Sequence, residues 1–181
     1  MEPRKRGNRR SIRLKGYDYS KTGAYFVTIC AQNRVCLFGN IVDGKMMLNQ
    51  FGQIVDVVWN DLPNHYPHIQ LDIYCIMPNH FHGIVMLTDT VGAIHELPLQ
   101  MSQQQRRNML LPKLIGRFKM LSSKQINQSR HTTGTKLWQR NYYEHIIRDE
   151  KDYNRICEYI KNNPLKWELD SLHPENEGFD E

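Results

Sequence analysis

Two histidines stand one residue apart in Pro78-Asn79-His80-Phe81-His82-Gly83. On a strand, residues i and i+2 share a face. His80 and His82 then point one way, and Phe81 points the other way into the core. Two imidazoles on one rigid strand can grip a divalent cation through neutral ring nitrogens. The same spacing also describes two surface histidines on an edge strand, so it leaves both readings open. A second pattern lies in residues 149–163, DEKDYNRICEYIKNN. At about 100° per residue, Tyr153, Ile156, Cys157 and Ile160 form one apolar stripe. Tyr159 falls at the border of that stripe, and Asn163 follows one turn further along the same edge. A phenol placed there is half packed and half exposed, able to reach a cleft. The Asn163 amide oxygen could serve the same cation as the histidines. Alternatively, Tyr159 only packs its ring and Asn163 ends the helix as a C-cap.

The elements that must position these groups are legible along the chain. Ala24 to Ala31 (AYFVTICA) is rich in β-branched and aromatic residues and reads as a strand. Ile41 to Leu48 carries Asp43-Gly44, a turn signal for a hairpin. Asn49 can cap a helix whose inner face is Phe51, Ile54, Val55, Val58 and Trp59, stopped at Pro63. Ile69 to Met77 and His82 to Leu87 read as two strands joined through Pro78-Asn79-His80. Thr88 to Gln105 is polar and aperiodic and reads as a mobile loop. Pro112 to Asn127 reads as a helix with Leu114, Ile115, Phe118 and Leu121 inward, leaving Lys113, Arg117, Lys119 and Lys124 on its wet face. Trp138 to Ile147 is aromatic and reads as extended. Asp149 then caps the tyrosine helix, which Pro164 stops. Strands interleaved with helices in this way predict an α+β domain, a mainly antiparallel sheet with helices on one face.

The 181 residues, 24% charged, suit one domain with a substantial core. No apolar run is long enough to cross a bilayer, and the basic N-terminus lacks the apolar stretch of a secretory signal. Cys30, Cys36, Cys75 and Cys157 are scattered without zinc spacing, and a disulfide framework is not expected. We expect a cytoplasmic protein. The net charge of +5 is unevenly spread. Residues 1–16 carry seven Lys/Arg against one acid and read as a flexible basic arm, with Arg4, Lys5, Arg6, Arg9 and Arg10 among them. Residues 106–166 hold fourteen bases and five acids, whereas 167–181 hold six acids and no base. Two separate cationic blocks favour a polyanionic partner, with nucleic acid the default. The acidic tail has almost no apolar content and is expected to be disordered or loosely docked.

Taken together, MPNHFHGIV (77–85), WQRNYYEHIIRDEKDY (138–153) and EYIKNNPLKW (158–167) form a known constellation. With the early GAYFVTICAQNR strand, the chain resembles the single-tyrosine HUH transposases, and within them the REP-associated tyrosine transposases. The likeness spans about residues 12–167. It implies a ferredoxin-like (RRM-like) α+β fold in which the HxH strand faces the helix bearing a nucleophilic tyrosine. The catalytic domain would occupy 17–166, between the basic arm and an acidic tail at 167–181. By the family pattern His80, His82 and Asn163 are metal ligands and Tyr159 is the nucleophile. Tyr142, Tyr143 and Tyr153 rank below it, because Tyr153 lacks a ligand one turn on and the other two precede the helix.

The activity so implied is metal-dependent cleavage and rejoining of single-stranded DNA in DNA transposition or REP-element mobilisation. Mg²⁺ or Mn²⁺ suits two imidazoles and an amide with open positions. The expected partner is single-stranded DNA bearing hairpins, in a bacterial, nucleoid-associated setting, with a homodimer as one possible arrangement. Lys113, Arg117, Lys119, Lys124, Arg140 and the arm would hold phosphates. Trp138, Tyr142 and Tyr143 could stack unpaired bases or fill core. The competing readings are a non-catalytic ferredoxin-like nucleic-acid-binding domain and a hydrolytic metallonuclease that leaves no covalent adduct.

Overall fold

A computed structural model describes residues 22–88 and 109–176. Arg4, Lys5, Arg6, Arg9 and Arg10 of the expected arm, and residues 89–105 of the polar loop, lie outside the described residues. Strand β1 (Gly23–Cys30) alternates: Tyr25, Val27 and Ile29 are fully buried on one face, while Phe26 and Thr28 lie on the other. A hairpin follows, β2 (Gly39–Val42) and β3 (Lys45–Leu48), turning at Asp43 and Gly44 with positive φ at both, as an Asp-Gly turn requires. Helix α1 (Gln50–Asn60) is capped by the Asn49 side chain, which accepts from the Phe51 and Gly52 N–H groups. Pro63 does not stop α1; it sits in the first turn of a short α2 (Leu62–His65), where its missing N–H costs nothing. Then come β4 (Ile69–Ile76), β5 (His80–Leu87), α3 (Leu110–Ser129), β6 (Tyr143–Ile147) and α4 (Glu150–Asn162).

The main sheet has the order β4-β5-β1-β6, antiparallel throughout. This is the ferredoxin-like order. Helices α1 and α3 cover one face, where Phe81 meets Trp59 and Phe118 at centroid distances of 4.4 and 5.2 Å. Helix α4 lies on the opposite face, so the helices are not all on one side as the sequence suggests. The reason is a second apolar surface: Phe26 and Ile84 face away from the main core and bury Ile156 and Ile160 of α4. The HxH strand thereby faces the tyrosine helix.

The stretch after α4 also differs from expectation in its described part. Trp167 is buried, 6.0 Å from the His80 ring and 4.6 Å from that of His173. Polar contacts hold this apolar-poor segment. The Asn79 amide donates to the Leu172 carbonyl (2.7 Å), and Asn176 donates to the carbonyls of Glu168 (3.0 Å) and Asp170 (2.9 Å). Among the described residues, no helix is long and apolar enough to cross a membrane.

Two helical glycines give opposite expectations. A Cβ on Gly52 would run into the Phe38 carbonyl oxygen, so α1 sits this close to the chain only because position 52 has no side chain. Gly52→Ala should therefore destabilise the fold by about 1–3 kcal/mol, since the overpacking outweighs the gain in helix propensity. Gly116, exposed within α3, would place a Cβ in open space. Gly116→Ala should stabilise by roughly 0.5–1 kcal/mol. Urea unfolding midpoints check both; shifts of the same sign would contradict this account of helix seating.

Candidate metal centre beside Tyr159

The tyrosine helix is fixed in place before it can present anything. The Asp149 side chain caps it, accepting from the Asp152 N–H at 2.8 Å. Asp152 in turn meets His145 of β6 and Arg155, both at 2.6 Å, and these partners hold its carboxyl below the usual range. Tyr153 donates its hydroxyl to Asp72 of β4 at 2.5 Å, so this tyrosine is a tether rather than a free nucleophile. With Ile156 and Ile160 buried against Phe26 and Ile84, α4 is held to both edge strands. Tyr159 then stands over β5. Its ring is 46% exposed, its centroid is 5.1 Å from that of His82, and its hydroxyl lies 3.2 Å from His82 Nε2.

The two imidazoles are buried, His80 at 0% and His82 at 1% exposure. Each has one ring nitrogen occupied by the protein. Asn79 donates its amide to the Arg34 (3.0 Å) and Leu172 (2.7 Å) carbonyls, which turns its own oxygen toward His80 Nδ1 at 2.7 Å. His80 Nδ1 therefore carries the proton, and Nε2 keeps its lone pair. His82 Nδ1 pairs with Thr28 Oγ1 at 2.8 Å and its Nε2 with the Tyr159 hydroxyl at 3.2 Å, two hydroxyls that can each donate or accept. Burial lowers both histidines, His80 to about 4 and His82 well below its ordinary value, the neighbouring His80 adding to the latter. Both rings are neutral, the form that coordinates metal.

Asn163 closes the helix as its C-cap and lies against His80 and Tyr159. The sequence offered two uses for this residue, cap or ligand donor. The structure makes it the cap, its backbone ending the helix, and turns its Oδ1 inward with no hydrogen-bond partner among the described residues. Asp170, which no spacing in the sequence marks, enters from the segment after α4. Its carboxylate accepts from the Leu172 N–H at 2.7 Å through one oxygen and puts the other, Oδ2, 3.7 Å from His80 Nε2. The ligand atoms of His80, His82 and Asp170 all lie within 4.8 Å of one another.

Three buried polar atoms, His80 Nε2, Asn163 Oδ1 and Asp170 Oδ2, thus have no hydrogen-bond partner among the described residues. All three present lone pairs, so they cannot satisfy one another, and a buried carboxylate oxygen without a donor is costly. The donor set fits a divalent cation. Tyr159 meanwhile is pushed up to about 12 by burial, reinforced by the Asp170 charge and opposed by Asn163. Its hydroxyl is protonated at neutral pH.

The expected phosphate-holding residues divide. Lys119 donates to the Gln139 and Asn141 carbonyls, both at 3.0 Å, and fixes the turn that leads into β6. Lys119, Lys136 and Arg140 line a cleft of about 460 Å³ with Gln32, Met120 and Ser123. Lys113, Arg117 and Lys124 are not brought to the histidines, because α3 packs on the far face of the sheet. Trp138 is core, its indole N–H donating to Ser122 at 2.8 Å. Tyr142 is partly buried, with the Lys119 ammonium 5.2 Å from its ring centroid. No motif or spacing in the sequence marks Asp170 or Thr28. Asn79 was visible beside His80, but its role depends on carbonyls far away in the chain.

Comparison with known proteins places these features. No protein-family model matches the chain. An uncharacterized protein of Haemophilus influenzae is 43% identical over 170 residues, covering 92% of this chain and 93% of the relative. A second protein of the same organism, named "Putative REP-associated tyrosine transposase", is 29% identical over 170 residues, covering 86% of this chain and 83% of that protein. Among solved structures, that of a REP-associated tyrosine transposase bound to a REP hairpin aligns with a TM-score of 0.48 at 21% identity, over 87% of this chain and 72% of the other. The chain belongs to one family with the uncharacterized Haemophilus protein, and it is similar to the Haemophilus protein named as a REP-associated tyrosine transposase.

Proposed function

We propose that this protein is a metal-dependent single-stranded DNA endonuclease and strand transferase, acting through a 5′-phosphotyrosine on Tyr159. The observation that carries the reading is the convergence of three partnerless buried atoms with a tyrosine hydroxyl 3.2 Å from His82 Nε2. His80 and His82 would hold the cation through Nε2, and Asn163 and Asp170 through oxygen. Two nitrogens and two oxygens suit Mg²⁺ or Mn²⁺ with positions left open for substrate. When bound, the cation supplies Lewis-acid polarisation of the scissile phosphate and positive charge beside the phenol.

The chain's own residues do the rest. Asn79 keeps His80 in the tautomer that presents the Nε2 lone pair inward, and Thr28 can accept the His82 Nδ1 proton and so leave that ring's Nε2 as the acceptor. The capped and tethered α4 holds the Tyr159 oxygen beside the cluster, so attack is unimolecular once DNA is seated. The Tyr159 oxygen forms a bond to phosphorus while the bond to the 3′ oxygen breaks. The phenol proton leaves to solvent, and the departing oxygen takes a proton to become a 3′-hydroxyl. A 3′-hydroxyl attacking the phosphotyrosine reverses the step and rejoins DNA without ATP. Hairpin-bearing single strands are the proposed substrate, and mobilisation of short palindromic elements is the proposed outcome.

Labelled single-stranded oligonucleotides bearing hairpins from the gene's own flanks, incubated with Mn²⁺ or Mg²⁺, test this on denaturing gels. The wild-type protein should give a covalent protein–DNA adduct, abolished by chelator and by Tyr159→Phe or His82→Ala. Cleavage without an adduct would identify a hydrolytic nuclease instead. Binding without cleavage would identify a plain nucleic-acid-binding domain.

The geometry gives a second expectation. The lone pair that accepts the Tyr159 hydroxyl is the one a cation would take, so hydrogen bond and cation exclude each other at His82 Nε2. Tyr159→Phe, while inactive, should bind Mn²⁺ as tightly as wild type or up to about tenfold more tightly, the worth of one lost competing hydrogen bond. Titration of Mn²⁺ by electron paramagnetic resonance measures this; a weakened affinity would mean that Tyr159 supports the cation rather than competing for His82.

A further inference from the structure

The tyrosine helix covers only part of the sheet face that carries the histidines. Its apolar stripe packs on β4, β5 and the Phe26 end of β1, and among the described residues exposure rises across the face toward Tyr143 on β6. Across the row at His82 the register runs Cys75, His82, Thr28, Tyr143 over β4, β5, β1 and β6. On the core face of β1, Tyr25, Val27 and Ile29 are fully buried, whereas Thr28 and Cys30 on the site face are only partly so. At the end of the row Tyr143 is 42% exposed.

Tyr143 is not a stray surface aromatic. Its ring stands edge-on to Phe26, at 6.2 Å and 67°, and the Tyr159 ring stands edge-on to the same Phe26, at 6.1 Å and 88°. Two exposed phenols therefore meet one buried ring, and Phe26 itself stacks on His82 at 5.5 Å. Tyr143 is two strands from His82, about 10 Å at the usual strand spacing, which is one to two nucleotides of extended single strand. Exposed Arg140 and Arg148 bracket β6 at its two ends and supply positive charge for the backbone of such a strand.

We propose that Tyr143 and the open β1–β6 face form a binding subsite for an unpaired nucleobase of single-stranded DNA, stacked on the Tyr143 ring next to the phosphodiester presented to Tyr159. The subsite rests on the reading above for the nature of its ligand, but not on the cation or on cleavage. A planar π-face accepts any base, so the contact sets the path and spacing of the strand rather than its sequence. Trp138 and Tyr142 do not share the role, being committed to the core and to Lys119. The phenol oxygen of Tyr143 contributes little to stacking, so a phenyl ring can replace it.

The test is anisotropy of a fluorescein-labelled hairpin oligonucleotide with a single-stranded flank, in chelator so that no cleavage occurs. A second set of probes carries 2-aminopurine at successive flank positions. Tyr143→Ala should weaken binding about 5- to 100-fold, and Tyr143→Phe should stay within about twofold of wild type. In wild type, 2-aminopurine should be quenched at one flank position, and Tyr143→Ala should relieve that quenching while its thermal unfolding matches that of Tyr143→Phe. Unchanged affinity and quenching in Tyr143→Ala would overturn the subsite, as would a wild-type protein that binds no single strand. Quenching that depends on Tyr143 in a protein that forms no adduct would uphold the subsite and fell only the nuclease reading.

Discussion

The structure depends on the burial of two neutral imidazoles side by side, the His80 Nε2 lone pair turned toward a carboxylate and an amide oxygen and His82 Nε2 beside the Tyr159 hydroxyl. Lone pairs facing lone pairs in a water-poor site repel and lose hydration, and the fold stabilises nothing there unless a positive charge joins them. The neighbouring shell keeps that arrangement from relaxing. Asn79 fixes His80, so that ring cannot turn its N–H inward to relieve the conflict, and Thr28 holds the His82 ring by its Nδ1. His80, His82 and Asp170 together could hold a metal ion there.

Everything around the cluster serves to place Tyr159 against it. The second apolar face of the sheet, Phe26 and Ile84, gives α4 somewhere to bury Ile156 and Ile160. Two polar tethers, Tyr153 to Asp72 and Asp152 to His145, fix the helix at β4 and β6. Asn79 adds a further link. The amide that orients His80 also holds the Leu172 carbonyl, so the segment carrying Asp170 and the strand carrying His80 share one side chain. Ligand geometry and the seating of residues 167–176 are thereby coupled.

Much of this was legible in the residues because it follows local rules. Asn49 and Asp149 as caps, the Asp43-Gly44 turn, the opposite faces of His80 and Phe81, and the border position of Tyr159 each need only a short window of sequence. Asp170 was not legible, since a carboxylate in an apolar-poor tail carries no spacing that ties it to His80. Thr28 was hidden for a similar reason, because its partner comes from strand pairing 54 residues away. The basic face of α3 was readable as a face but not as a location. Periodicity shows which side of a helix is wet, and not which side of the sheet that helix covers, so Lys113 and Lys124 lie far from the histidines. Exposure likewise separated the aromatics of 138–143: Trp138 is core, Tyr142 is partly buried and Tyr143 is open.

His80, His82, Asn163 and Asp170 are proposed to share one divalent cation. Anomalous diffraction from crystals of the protein soaked in Mn²⁺, collected on both sides of the manganese edge, tests it most directly. The account predicts one strong peak within coordinating distance of both Nε2 atoms and of the Asn163 and Asp170 side-chain oxygens. A peak elsewhere, or ordered Nε2 atoms with no manganese between them at millimolar Mn²⁺, would contradict it.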